Sequence, residues 1–306
     1  MPDRRSEGWA IAALVYTATV WGANVVLMKL MTQHFTAVHL SAIRMVAAFA
    51  CIALICRFTA RVGPLPTGRQ FGWMVGAALL MTYAHQLMLT QGLAWSTATN
   101  GALALGLNPL LSVLLGALLF GERLHPAGGF GVVMGLAGVA VVVLNRSDAD
   151  LRLAGLGDAL LIGSMLVYVA GGACIRHVSG QLDPLAIGYW MHLVGAAVLV
   201  LHAVWLPEFR DPQAWSVGLG PWALILVSAL VSTALGSVAW NYGIARLGLG
   251  RASMFINLLP ISGLAAAVVF LGEDLRPAHG IGFALVLAGT WFAVQPRRPA
   301  SASPVV

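Results

Sequence analysis

Residues 96–143 and 247–294 are faint copies of one another, and this duplication restricts the folds open to the chain more than any other feature. At a constant offset of 151, Pro109 falls on Pro260, Gly121-Glu122 on Gly272-Glu273, Leu124 on Leu275, and Pro126-Ala127 on Pro277-Ala278. Gly129, Gly131, Ala137 and Gly138 then fall on Gly280, Gly282, Ala288 and Gly289. An offset of 147 carries the match to the start of each half, setting Trp21 on Tyr168 and Lys29 on Arg176. Self-similarity at a half-chain period marks a duplicated unit. In a membrane protein, two such units about a pseudo-two-fold axis are the usual build of a secondary transporter. Movement of a solute is therefore the first expectation.

The medium is set by composition. Of 306 residues, 59% are hydrophobic and 9% charged, against roughly 25% charged in an average soluble domain. Apolar runs of about 20 residues, the length that spans a bilayer, recur from end to end. Breaks at polar, Pro and Gly residues divide the chain into spans near 9–31, 38–57, 71–91, 97–120, 127–144, 158–177, 185–206, 221–242, 251–271 and 278–294. The expected fold class is all-α and polytopic, with ten transmembrane helices as two five-helix repeats over 1–146 and 156–296 and a short tail at 297–306. An odd number of spans per unit forces the second copy to enter the membrane in the opposite sense. Arg4-Arg5 ahead of an apolar run resembles a signal peptide, but that run reaches Met31 and is needed to complete the first repeat.

Lys and Arg give the sidedness. With the N-terminus inside, eleven of the 17 basic residues fall in inner segments (Arg4, Arg5, Arg57, Arg61, Arg69, Arg123, Arg176, Arg246, Arg251, Arg297 and Arg298) and four in outer ones (Arg146, Arg152, Arg210 and Arg276). That excess predicts both termini on the cytoplasmic side, as an even number of spans also requires. The net charge of +6 is scattered over helix ends with no aromatic-interleaved patch, so nucleic acid is not an expected partner. Cys51, Cys56 and Cys174 lie in apolar runs without CxxC spacing, and are read as packed thiols rather than a disulfide framework or metal site. No cofactor is expected.

Four polar rows run along predicted helices: Thr17, Trp21, Asn24 and Met28; Tyr83, Gln86 and Thr90; Ser164, Tyr168 and Gly171; Thr233, Ser237 and Trp240. Lipid tolerates such rows poorly, so they should face inward, either as interhelical hydrogen bonding or around a shared cavity. Asn108-Pro109 and Asn257 with Pro260 place an amide beside a mid-helix proline, which removes a ladder hydrogen bond where backbone can line a cavity. The turns 121–126 and 272–277 read as helical hairpins: Gly for the left-handed cap, a carboxylate near the next helix's positive end, Pro at its first position. Lys29, Arg44 and Arg176 lie near the ends of spans, as snorkelling cations or as charges at the mouths of a pathway. None of the eleven acidic residues falls at a predicted span centre, which disfavours a carboxylate proton carrier. His85, beside Gln86, is either a packing histidine or a proton relay, while His192 and His202 are expected to face neighbours or headgroups. Gly131, Gly135 and Gly138, with Gly280, Gly282 and Gly289, permit close helix contact, within the chain or at a homodimer face.

Taken together, the residues Trp21-Gly22-Ala23-Asn24 with Lys29, Ile43-Arg44-Met45, Gln91-Gly92-Leu93-Ala94 leading to Pro109, and Gly121-Glu122-Arg123-Leu124 form a recognisable set. Their second-half equivalents are Tyr242-Gly243-Ile244-Ala245, Pro260 and Gly272-Glu273-Asp274-Leu275, with Asp274 departing from Arg123. Over nearly its whole length the chain resembles the drug/metabolite transporter superfamily, and within it the EamA-type transporters. The resemblance implies a bacterial inner-membrane carrier, with many relatives exporting amino acids and related metabolites, and a central cavity between helices 1, 3, 4, 6, 8 and 9. On that basis Trp21, Tyr83, Tyr168 and Trp240 should contact apolar parts of a small-molecule substrate, and Asn24, Gln86, Asn108 and Asn257 its polar groups. Lys29 or Arg44 would attract a carboxylate at the outer mouth, with Arg176 at the inner one. The alternatives are a broader metabolite or drug carrier, an importer by exchange, or a non-transporting scaffold. An enzyme is not expected, since HExxH, paired carboxylates and a spaced Ser/His set are all missing from the sequence.

Overall fold

The computed structural model describes residues 4–59, 66–122, 124–145, 151–247, 251–252 and 254–293. Among them the chain is helical throughout, with a single isolated bridge between Ser179 and Leu182 and no strand. We number the long helices α1 (Arg4–Met31), α2 (Ala37–Thr59), α3 (68–95), α4 (98–120), α5 (Pro126–Leu144), α6 (Leu151–Arg176), α7 (Pro184–Ala203), α8 (219–247), α9 (Met254–Leu271) and α10 (Pro277–Ala293). Seven of these are long and apolar enough to cross a membrane, or eight if α4, bent by 43° between Ala98–Leu105 and Asn108–Phe120, counts as one span. The other two differ for visible reasons: α10 is a shorter apolar helix, and α3 carries Thr82, Tyr83, His85, Gln86 and Thr90. Leu118, Val133, Val269, Phe270 and Trp291 are exposed on the outside of the bundle, where lipid tails would meet them.

Local chemistry sets the helix ends. Gly121 and Gly272 both close their helices at φ +63°, the left-handed cap that a Cβ would strain. Pro126, Pro184 and Pro277 each open a helix, where the missing N–H costs nothing. Thr67 and Gln70 form a reciprocal capping box at the start of α3, and the Asp183 carboxylate accepts from Leu185 N at 2.8 Å at the start of α7. Two expected boundaries shift. α6 begins at Leu151 instead of 158, so that Asp158 becomes a buried helical residue, and the connection after α7 folds into two short turns, Pro207–Arg210 and Pro212–Trp215. Arg61, Arg123, Arg146, Arg297, Arg298 and the tail 297–306 lie outside the described residues.

The two halves meet most closely along α5 and α10. A Cβ on Gly131 would sit 2.3 Å from Gly289 O, and one on Gly138 would sit 2.7 Å from Gly282 O. Because Gly131 corresponds to Gly282 and Gly138 to Gly289, each glycine touches the counterpart of the other, the mark of an isologous two-fold contact. These four glycines are therefore spent inside the chain, whereas Gly280 meets no neighbouring atom.

Both halves also widen at the same place. Ala78–Ala84 in α3 and Ser228–Leu235 in α8 are π-helical, and Thr82 falls on Thr233 at the offset of 151. Such segments are rare in helices and concentrate at functional sites. The kinks are paired too: Pro109 and Pro260 have no N–H to give to Leu105 O and Ile256 O four residues earlier, and these two residues are again counterparts.

Candidate functional site

These irregular backbone segments surround a mid-bundle chamber of about 380 Å³. Trp21, Asn24 and Met28 of α1 reach it, as do Arg44, Thr82, His85, Gln86, Asn108, Tyr168, His192 and Trp240. Leu105 and Ile256, the residues whose carbonyls the prolines deprive of donors, line it as well. A second cavity of about 330 Å³ shares Asn108 and Tyr168 with the first and continues to Phe120, Glu122 and Arg176.

Hydrogen bonds fix much of the wall. Trp21 Nε1 donates to Ser232 O at 2.7 Å, a carbonyl in the π-helical stretch of α8, and its ring lies 5.9 Å from that of Trp240. Asn24 Oδ1 accepts from Ser228 Oγ at 2.6 Å, leaving the amide nitrogen available. His85 Nδ1 lies 3.0 Å from Ser164 O, and His192 Nδ1 2.8 Å from Gly188 O. A carbonyl only accepts, so both rings carry the proton on Nδ1, and in the neutral form Nε2 is left as an acceptor. Arg44 is 2% exposed, and its Nη2 donates to Gln86 Oε1.

Two of the residues expected around the cavity are not brought to it. Tyr83 turns away, its hydroxyl 3.1 Å from His202 Nδ1 and its ring packed with α2 and α7. The expectation used an α-helical period, whereas Tyr83 lies in the π-helical stretch, whose wider turn puts Thr82 on the chamber side. Asn257 ends the 3-10 turn Met254–Asn257, and that tighter winding presents Ile256 and Leu259 in its place. Of the row Ser164, Tyr168 and Gly171, only Tyr168 lines the chamber, while the row Thr233, Ser237 and Trp240 does so in full. Sequence reasoning missed Thr82 and His192. The π-helical register hid the first, and a lone histidine in an apolar run gave no reason to favour one face for the second.

The cations have distinct places. Arg44 stands in the chamber wall. Lys29 Nζ donates to Leu93 O at 2.6 Å and Ser96 O at 2.5 Å, closing the end of α3. Nearby, Glu273 accepts from Ala98 N at 2.7 Å and Thr99 N at 2.8 Å, capping α4 instead of the helix that follows its own turn. Asp158 accepts from Asn100 Nδ2 at 2.9 Å and from Ser96 Oγ. At the other end of α4, Arg176 pairs with Glu122 at 2.6 Å, with 57% and 45% of the two side chains exposed, and its guanidinium lies 4.2 Å over the Phe120 ring. The turns carrying Glu122 and Glu273 thus lie at opposite ends of one helix. Among the described residues, no group of three or more His, Cys, Asp or Glu side chains is placed to hold a metal ion.

Comparison with known proteins bears on this architecture. Residues 8–144 and 155–295 each match the model of the EamA-like transporter family. An uncharacterised transporter of Bacillus subtilis is 23% identical, covering 88% of both chains. A probable amino-acid metabolite efflux pump of Salmonella typhimurium is 25% identical over 98% of this chain and 99% of its own. A protein of known crystal structure superposes with a TM-score of 0.63 at 21% identity, covering 92% of this chain and 94% of that one. It supports the fold alone.

Proposed function

The chain belongs to the EamA-like transporter family, and we propose that it exports small metabolites, amino acids or closely related compounds, by alternating access. In this reading the two repeats, 1–146 and 156–296, supply five membrane spans each in opposite senses. The protein sits in a bacterial inner membrane with both termini in the cytoplasm. The observation that carries the proposal is the pair of adjoining cavities, sharing Asn108 and Tyr168 in their walls, that lie between mid-bundle and the Glu122 end, while polar side chains tie the helices together at the Glu273 end. A carrier caught open to one side has that shape. The excess of basic residues supports a cytoplasmic Glu122 end, where a substrate for export would enter.

Trp21, Tyr168 and Trp240 would hold the apolar body of the substrate, and Asn24, Gln86 and Asn108 its polar groups; a chamber of about 380 Å³ suits one amino-acid-sized solute. Tyr83 and Asn257 would act from behind the wall, Lys29 and Arg176 at the two ends, and His85 as a fixed acceptor. The Salmonella relative is named a probable amino-acid metabolite efflux pump, and an amphipathic chamber fits such a substrate. The test is counterflow in proteoliposomes with the twenty amino acids. At least one should exchange, and Trp21→Ala and Gln86→Ala should each slow it by roughly tenfold or more, the equivalent of about 1.4 kcal/mol of lost binding, with membrane insertion unchanged. Normal counterflow in both variants would remove the chamber as the binding site.

A further inference from the structure

Arg44 is the chamber residue whose chemistry is incomplete. It lies in α2, well inside the helix ends, and is 2% exposed. A guanidinium offers five N–H donors and is never deprotonated in practice. Of these, Nη2 reaches Gln86 Oε1, and Nε is buried without any partner. No Asp or Glu lines the chamber. Its remaining polar lining consists of amides, hydroxyls and indoles, together with His85 and His192, held with Nδ1 on backbone carbonyls. A buried cation without a counter-ion is costly at membrane depth and marks a site by default. The cavity at the Glu122 end adjoins the chamber across Asn108 and Tyr168, so an anion has an approach from that side.

We propose that Arg44 is the docking point for a carboxylate on the substrate, so that the chamber selects carboxylate-bearing solutes over their neutral or purely cationic analogues. A carboxylate presents two oxygens to parallel N–H donors and suits a guanidinium better than an ammonium. Gln86 fixes the orientation of Arg44 from one side by accepting from Nη2. Lys29 does not share this task, because its ammonium is already engaged by backbone carbonyls at the end of α3. The other end of an amino acid meets acceptors instead of acids. Nε2 of His85 and His192 accepts in the tautomer that their Nδ1 contacts impose, and Leu105 O and Ile256 O have no amide at i+4. That arrangement holds an ammonium without the carboxylate that would neutralise Arg44. The inference rests on the carrier reading above and adds the chemical class that the chamber takes.

The test uses purified full-length protein in proteoliposomes and four probes sharing one body: L-phenylalanine, L-phenylalaninol, phenethylamine and 3-phenylpropionate. Counterflow of the amino acid found to exchange best is measured with each as competitor. The two carboxylates should compete ~10- to 100-fold better than the alcohol and the amine, the range expected for losing hydrogen bonds to a charged group. Arg44→Gln should erase that preference, and Arg44→Lys should retain part of it. A role confined to packing would change stability but not the ranking of the four competitors. Should Arg44→Gln fail to fold, the wild-type ranking still decides. Equal competition by phenylalaninol and phenylalanine overturns the carboxylate site and leaves the carrier standing, whereas absence of counterflow for every amino acid overturns both.

Discussion

Lys29 and Arg176 occupy corresponding positions in the two copies, as do Glu273 and Glu122, yet the two sets do different things. At one end Lys29 grips the last carbonyls of α3, Glu273 caps α4, and buried Asp158 ties Ser96 to Asn100. At the other, Arg176 and Glu122 form an ion pair about half exposed beside an open cavity. Equivalent residues thus close one end and leave the other accessible. Part of the difference lies in residue types: Ser96 and Asn100 fall on Leu247 and Arg251, and Asp158 on Ile11, so the Arg176 end has no copy of that network. In the alternating-access reading proposed above, the reverse state would bury the Arg176 end and release the Lys29 end.

Three measurements break or sharpen this contrast. The largest effect is expected from Glu273→Ala, which strands two amides at the start of α4. It should cost about 1–3 kcal/mol of stability in detergent unfolding, while Glu122→Ala should cost less than about 1 kcal/mol because that pair faces solvent. Equal losses would mean that the two ends are equivalent. Next comes accessibility, with Cys51, Cys56 and Cys174 replaced by alanine and Met28→Cys placed in the chamber wall. An impermeant maleimide should label it only from the Glu122 side, and from both sides once Lys29→Met removes the bonds to α3. Labelling from the Glu273 side in the parent protein would contradict the closed end. The smallest effect is that of Arg176→Gln, a shift below about 1 kcal/mol that shrinks further in high salt; a salt-independent loss would show that the pair is buried in use.

Much of the fold was legible because duplication and apolar length are properties of the sequence itself. The offset of 151 located both glycine-capped turns and the α5–α10 glycines before any coordinate. The site was legible where helices are regular, as for Trp21, Asn24 and Met28 on α1. It failed where the winding changes. Tyr83 and Asn257 lie in π and 3-10 turns, where a 3.6-residue period assigns the wrong face. Arg44 was expected near a mouth from its distance along α2, and what sets its place is the packing of α2 against α3 and α7, which no single-helix reading contains. Asp158 escaped notice because α6 starts a turn and a half or more before its apolar run.

The seam between α5 and α10 bears on the history of the chain as well as its packing. With Gly131 against the backbone at Gly289, and Gly138 against that at Gly282, neither copy has room for a side chain unless the other retreats. Each half therefore limits what the other can carry along this seam. That mutual constraint fits the identity of these glycines in both copies, whereas Asn108 and its counterpart Leu259, which both line the chamber, differ.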